Sequence, residues 1–174
     1  MQRARATDSI EIFLQPGEHF VGDSRHRIRT LLGSCVSITL WHPAQRVGAM
    51  SHFLLPRRVT ASDEVLDGRY GEEVMWIMAQ GLVAIAVKPD ECVGKIFGGG
   101  NMFPKHTRFD AHNVGIKNGE AARALLHAHR IPIVSENLFG VGHRQIIFDV
   151  SSGNVWARQV KPTDALLASA GSLP

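Results

Sequence analysis

Reactive chemistry in this chain centres on one thiol. Cys35 ends the segment Thr30-Leu31-Leu32-Gly33-Ser34-Cys35 and opens an alternating apolar run to Trp41, and a second run, Gly48 to Leu55, carries His52. A turn centred on Pro43-Ala44 folds the runs together so that Cys35 stands directly opposite His52, with Cβ atoms about 4.5–5.5 Å apart. A one-residue slip would put the two on opposite faces of the sheet. A thiol with an imidazole beside it is a nucleophile with its base. The imidazolium lowers the thiol pKa from about 8.5, and the ring then returns the proton to a leaving amine. Gly33 permits a sharp turn before Cys35 and leaves nearby amides free to hold an oxyanion. The second imidazole nitrogen needs a partner that fixes the tautomer. Thr30 is the best local hydroxyl, since no Asp or Glu lies close in sequence to Thr30, Cys35 or His52, although one can arrive from elsewhere in the fold. The competing reading is that a cysteine beside a strand is core packing, which is the reading adopted for Cys92.

The elements that position this set follow from periodicity. Ile10 to Leu14 reads as a first strand, and Val36 to Trp41 with Gly48 to Leu55 as a pair. Cys92 to Phe97, Ile131 to Ser135, Arg144 to Val150 and Val155 to Val160 read as further strands, the last two as a closing hairpin around Trp156 and Phe148 as core residues. Helices are predicted over Glu72 to Ala86 and over Gly119 to Arg130, the second capped by Asn118. Arg57 to Gly71 and Asn101 to His112 read as loops. The fold class is α+β: a mixed or antiparallel β-sandwich or barrel-like core with two main helices packed on it. Residues 1–174 form one domain, with a core from about residue 10 to 161 and a tail over 162–174, as the length suggests.

Composition narrows the function classes. With 44% hydrophobic and 20% charged residues the chain is that of a globular domain. A formal charge of +3 without a dense Lys/Arg run gives no footprint for nucleic acid. Two cysteines make no disulfide framework and fit a reducing compartment. No apolar stretch follows Arg3 and Arg5 as a signal peptide would require, and no run is long enough to cross a membrane, so the cytoplasm is the expected location. Gly98-Gly99-Gly100 follows Lys95 instead of preceding a Gly-Lys-Ser/Thr, so a tight turn near the site is favoured over a phosphate loop. No carboxylate or thiol completes a four-ligand spacing with His106, His112, His127, His129 and His143, and no metal or cofactor is expected.

Several segments occur together in order: Thr30-Leu31-Leu32-Gly33-Ser34-Cys35-Val36, Gly48-Ala49-Met50-Ser51-His52-Phe53-Leu54-Leu55-Pro56, Lys95-Ile96-Phe97-Gly98-Gly99-Gly100-Asn101-Met102-Phe103, Ile131 to Glu136, Arg144 to Asp149 and Gly153 to Trp156. From about Ile10 to Lys161 the chain resembles the CheD family of chemoreceptor glutamine deamidases. The resemblance implies a fold similar to the deamidase domain of cytotoxic necrotizing factor. It also implies a catalytic set of Cys35 as nucleophile, His52 as general base and acid, and Thr30 as orienting hydroxyl. The implied substrate is a Gln side chain on the cytoplasmic helices of a methyl-accepting chemotaxis receptor, converted to Glu and ammonia to create a methylation site. A CheC-type phosphatase is the implied second partner, and a monomer is the expected state. Arg57, Arg58 and Lys105 are candidates for docking an acidic receptor helix. Two alternatives remain: a non-catalytic regulator that binds receptors or a phosphatase, and a cysteine hydrolase with another substrate.

Overall fold

A computed structural model describes residues 8–60, 65–104 and 110–161. It is an α+β fold in three layers: two helices, a five-stranded sheet and a four-stranded sheet. The four-stranded sheet contains β1 (Ile10–Phe13), β3 (His26–Leu32), β8 (His143–Asp149) and β9 (Asn154–Val160), in that spatial order. The five-stranded sheet runs β2 (His19–Gly22), β5 (Val47–Ser51), β4 (Val36–His42), β6 (Val93–Gly98), β7 (Ile133–Leu138). The sheets stay separate, so the core is a sandwich and not a closed barrel.

Each strand's burial follows from what covers it. The β3 sequence HRIRTLL alternates, with Arg27, Arg29 and Leu31 exposed and Ile28, Thr30 and Leu32 turned inward, as a sheet with one wet face requires. The central strand β4 is buried on both faces: Val36, Ile38 and Leu40 meet the helices, while Trp41 packs toward the other sheet. Helix α1 (Gly71–Ala84) lays Val74, Met75, Met78 and Leu82 on the five-stranded sheet. Helix α2 (Asp110–Ala128) adds Ala122 and Leu126 to the same core. A second core of Ile28, Leu32, Met50, Phe97, Ile146 and Phe148 fills the space between the sheets.

Four expectations are corrected. The hairpin turn is a four-residue loop, 43–46, because His42 pairs with Val47 and Thr39 with Met50, and Arg46 closes it at φ 50°. Pro43 suits the first central position of a type I turn, which needs the longer loop to reverse a twisted hairpin. Asn118 does not cap a helix: α2 begins eight residues earlier, at Asp110, and Asn118 is fully buried within it. Trp156 is not core; it pairs with Ile147 on the outer face of the four-stranded sheet, where no layer of the described residues covers it, and is 52% exposed. The polar segment before α1 is not free surface throughout, since Arg58 bonds Glu73 at 2.7 Å and lies over the Tyr70 ring. Lys105, His106 and the tail 162–174 lie outside the described residues.

Candidate active site

Thr30 and His52 meet across the two sheets. Thr30 is on β3 of the four-stranded sheet; His52 directly follows β5 of the five-stranded sheet, and both are buried. Thr30 Oγ1 lies 2.7 Å from His52 Nδ1 and donates its single proton to the Leu14 carbonyl at 2.8 Å. A carbonyl can only accept, so the hydroxyl must accept from the ring. Nδ1 therefore carries the imidazole proton and Nε2 keeps its lone pair. Nε2 is buried and has no hydrogen-bond partner among the described residues. The His52 backbone is gripped from both sides by the loop after β1: its N–H donates to Glu18 O at 3.0 Å and its carbonyl accepts from Gly17 N–H at 2.8 Å.

Cys35 lies on the same face. Along β4 and β5 the residues opposite in parity, Ile38, Leu40 and Ala49, turn to the helices, while Cys35, Trp41 and Met50 pack into the core between the sheets. The register differs from the expected one by two residues, which preserves the face. Val36 now faces Phe53, so Cys35 is level with Leu54 and is the diagonal neighbour of His52, not its direct partner. Ser37 occupies the position across from His52, and its Oγ is likewise buried without a partner among the described residues. Diagonal neighbours have Cα atoms about 7–8 Å apart, within reach of a long or planar side chain. No hydrogen bond joins Cys35 Sγ to the free ring nitrogen.

The electrostatics describe a neutral resting pair. Burial is the main cause that lowers the His52 pKa from 6.5 to about 4, opposed by the Leu14 backbone and the Glu18 charge. Burial pushes the half-buried Cys35 thiol up, opposed by its own backbone N–H. Both shifts favour the uncharged forms, a thiol and a neutral imidazole, over a thiolate–imidazolium pair. Cys92 is fully enclosed among apolar side chains and its thiol is pushed up to about 11, chiefly by burial.

The turn carrying Cys35 is zipped to the three glycines after β6. Gly99 N–H donates to Cys35 O and Gly100 N–H to Gly33 O, each at 2.9 Å. Gly99 has φ 64°, and a Cβ there would sit 2.6 Å from Gly115 O of α2, so only glycine admits the close approach. Arg144, 2% exposed, reaches under this turn: its Nε donates to Asn137 Oδ1 at 2.7 Å, and its two terminal nitrogens donate to Gly98 O at 3.1 Å and to Phe139 O. Sequence reasoning missed Arg144, the Leu14 carbonyl and Asn118. Among the described residues no group of three His, Cys, Asp or Glu is arranged to hold a metal.

Comparison with known proteins adds what geometry does not. Residues 54–159 match the family described as CheD chemotactic sensory transduction. A protein of Albidiferax ferrireducens named "Probable chemoreceptor glutamine deamidase CheD 2" is 59% identical over 160 residues, covering 91% of this chain and 92% of its own. The chain belongs to the CheD family. CheD proteins from Pseudomonas savastanoi pv. phaseolicola and Dechloromonas aromatica, with names of the same form, are 48% and 43% identical over 158 and 169 residues. They cover 90% and 96% of this chain, and 88% and 98% of their own. The match to the CheD family model begins at Leu54, downstream of Thr30, Cys35 and His52.

Proposed function

We propose that this CheD-family protein hydrolyses the side-chain amide of Gln residues on chemotaxis receptors, with Cys35 as nucleophile, His52 as general base and acid, and Thr30 as the group that orients His52. The observation that carries the reading is the free Nε2 lone pair of a buried imidazole, held by Thr30 through Nδ1 on the face that also bears Cys35. Nε2 takes the thiol proton as Sγ attacks the carboxamide carbon. The tetrahedral intermediate collapses as the imidazolium gives that proton to the departing nitrogen, releasing ammonia and leaving a thioester. Water, deprotonated by Nε2, attacks the thioester; Glu is released and the thiol is restored. With its pKa lowered by burial, His52 starts as the free base that can accept the thiol proton.

The names of the relatives support a chemoreceptor as the substrate. In this reading the receptor's cytoplasmic helices meet the protein in the cytoplasm. A CheC-type phosphatase is a second partner, and the protein acts as a monomer. No helix among the described residues is long and apolar enough to cross a membrane.

The test is mass spectrometry of a receptor cytoplasmic fragment incubated with the protein, with ammonia measured in parallel. A gain of about one mass unit at a Gln, without chain cleavage, is the expected product of amide-to-acid conversion. Cys35→Ala abolishes it while receptor binding persists. Ammonia release by Cys35→Ala at the normal rate refutes the assignment of the nucleophile, and binding without any mass change in the unmodified protein favours the non-catalytic regulator.

A further inference from the structure

Asn118 sits midway along α2, fully buried, facing the five-stranded sheet. Its Nδ2 donates to two main-chain carbonyls, Ser34 O at 3.1 Å and Leu54 O at 2.7 Å. These carbonyls belong to different strands, one just before Cys35 and the other two residues after His52. The β4–β5 ladder ends at the Val36–Phe53 pair, whose backbone bonds measure 3.1 and 3.0 Å. Past that pair Asn118 clasps the two chains from the helix layer. Its amide orientation is fixed, because turning it over would set Oδ1 against two carbonyls. The cost is an Oδ1 that is buried with no partner among the described residues.

The bond to Ser34 has a second effect. In a planar trans peptide the C=O and the following N–H point in opposite directions. Drawing the Ser34 carbonyl toward α2 turns the Cys35 N–H away from it. That N–H donates to no other residue's acceptor among the described residues, while the next peptide is pinned through Cys35 O and Gly99 N–H at 2.9 Å. Both peptide planes flanking the nucleophile are therefore locked, and the one polar group of these two peptides with no bond to another described residue is the Cys35 amide, which faces only its own sulfur. An amide beside a nucleophile that no other residue engages is the donor that a tetrahedral oxyanion needs.

We propose that Asn118 is a positioning residue: by holding Ser34 O and Leu54 O together it aims the Cys35 N–H at the oxygen of the bound carboxamide and keeps Cys35 and His52 in register. This rests on the assignment of Cys35 as nucleophile. The test compares Asn118→Ala and the similarly sized, donor-free Asn118→Leu with Leu126→Ala, which removes a buried side chain from the same helix two turns away. Misdirecting one oxyanion donor lowers kcat by about 10- to 100-fold, with KM for the receptor fragment unchanged. The midpoint pH for alkylation of Cys35 by iodoacetamide rises as well, because the amide no longer favours the thiolate. Leu126→Ala loses thermal stability but keeps both kcat and the alkylation midpoint. Folded Asn118 variants that behave like Leu126→Ala overturn the proposal.

Should neither Asn118 variant fold, the unmodified protein still decides. The Asn118 side-chain amide protons exchange with solvent far more slowly than those of exposed Asn154, and equal rates overturn the clasp. Absence of ammonia release from the unmodified protein would defeat the deamidase reading, whereas the alkylation midpoints and proton exchange test Asn118 without any substrate.

Discussion

Acid should destabilise this protein through His52 by an amount that can be worked from its surroundings. The unfolded ring takes a proton near its ordinary pKa of 6.5, whereas burial holds the folded ring neutral down to about 4. Between those values the unfolded chain binds more protons, so stability rises with pH; it is fully present above 6.5 and drains away as pH falls through the folded value. Each pH unit separating the two values is worth about 1.4 kcal/mol, so the full loss is about 3.4 kcal/mol, of which about 2 kcal/mol has gone by about pH 5. The perturbation is His52→Asn, whose Nδ2 can reproduce the donation to Thr30 and which does not titrate. Urea unfolding of both proteins at about pH 7.5 and about pH 5 gives four free energies. Other titrating groups affect both proteins alike, and the cavity left by the smaller side chain weighs equally at both pH values, so these cancel in the double difference. The unmodified protein should lose about 2 kcal/mol more than His52→Asn on acidification. An equal loss in both would refute a buried neutral imidazole, and with it the assignment of Nε2 as a ready base.

Three further outcomes follow from the same contacts. Thr30→Val leaves the Leu14 carbonyl and the His52 Nδ1–H without their partner, so unfolding free energy should fall by about 1–3 kcal/mol and ammonia release should drop sharply, with Thr30→Ser restoring most of both. Arg144→Met leaves Asn137 Oδ1 and Phe139 O beneath the glycine turn without their donor, while Gly98 O keeps the Phe139 N–H; urea unfolding should show a loss of about 3 kcal/mol or more, and Arg144→Lys should not repair it because it lacks the planar fork. Cys92→Ala should retain full ammonia release, and iodoacetamide near neutral pH should label Cys35 well before Cys92, as peptide mapping would reveal.

Much of the site was readable from residue types because two constraints are local. Gly33 before Cys35, and the alternation through Val36 and Gly48, fix which face each side chain takes. A two-residue error in register leaves that face intact, which is why the wrong turn at Pro43-Ala44 still led to the correct side of the sheet. Thr30 was chosen as the best local hydroxyl, although it arrives by sheet-on-sheet packing and not by its closeness in sequence. What stayed hidden depends on contacts between distant segments. Asn118 resembles a cap when its helix is thought to begin there, and only the true start at Asp110 reveals it as a buried donor. Arg144 reads as an ordinary strand cation until the carbonyls of Gly98 and Phe139 are brought to it. Trp156 looks like core because nothing in the sequence says which face of the last strand turns away from the other sheet.

Thr30 and His52 come from different sheets, so under the proposed roles activity reports on assembly. A newly made or refolding chain in which only one sheet has formed possesses the sulfur and the ring but nothing to settle which nitrogen holds the proton. Recovery of ammonia release after dilution from denaturant should therefore lag behind the return of strand signal and coincide with closure of the apolar seam around Ile28, Met50 and Phe148. Under the proposed roles, the chain stays silent until its layers have met.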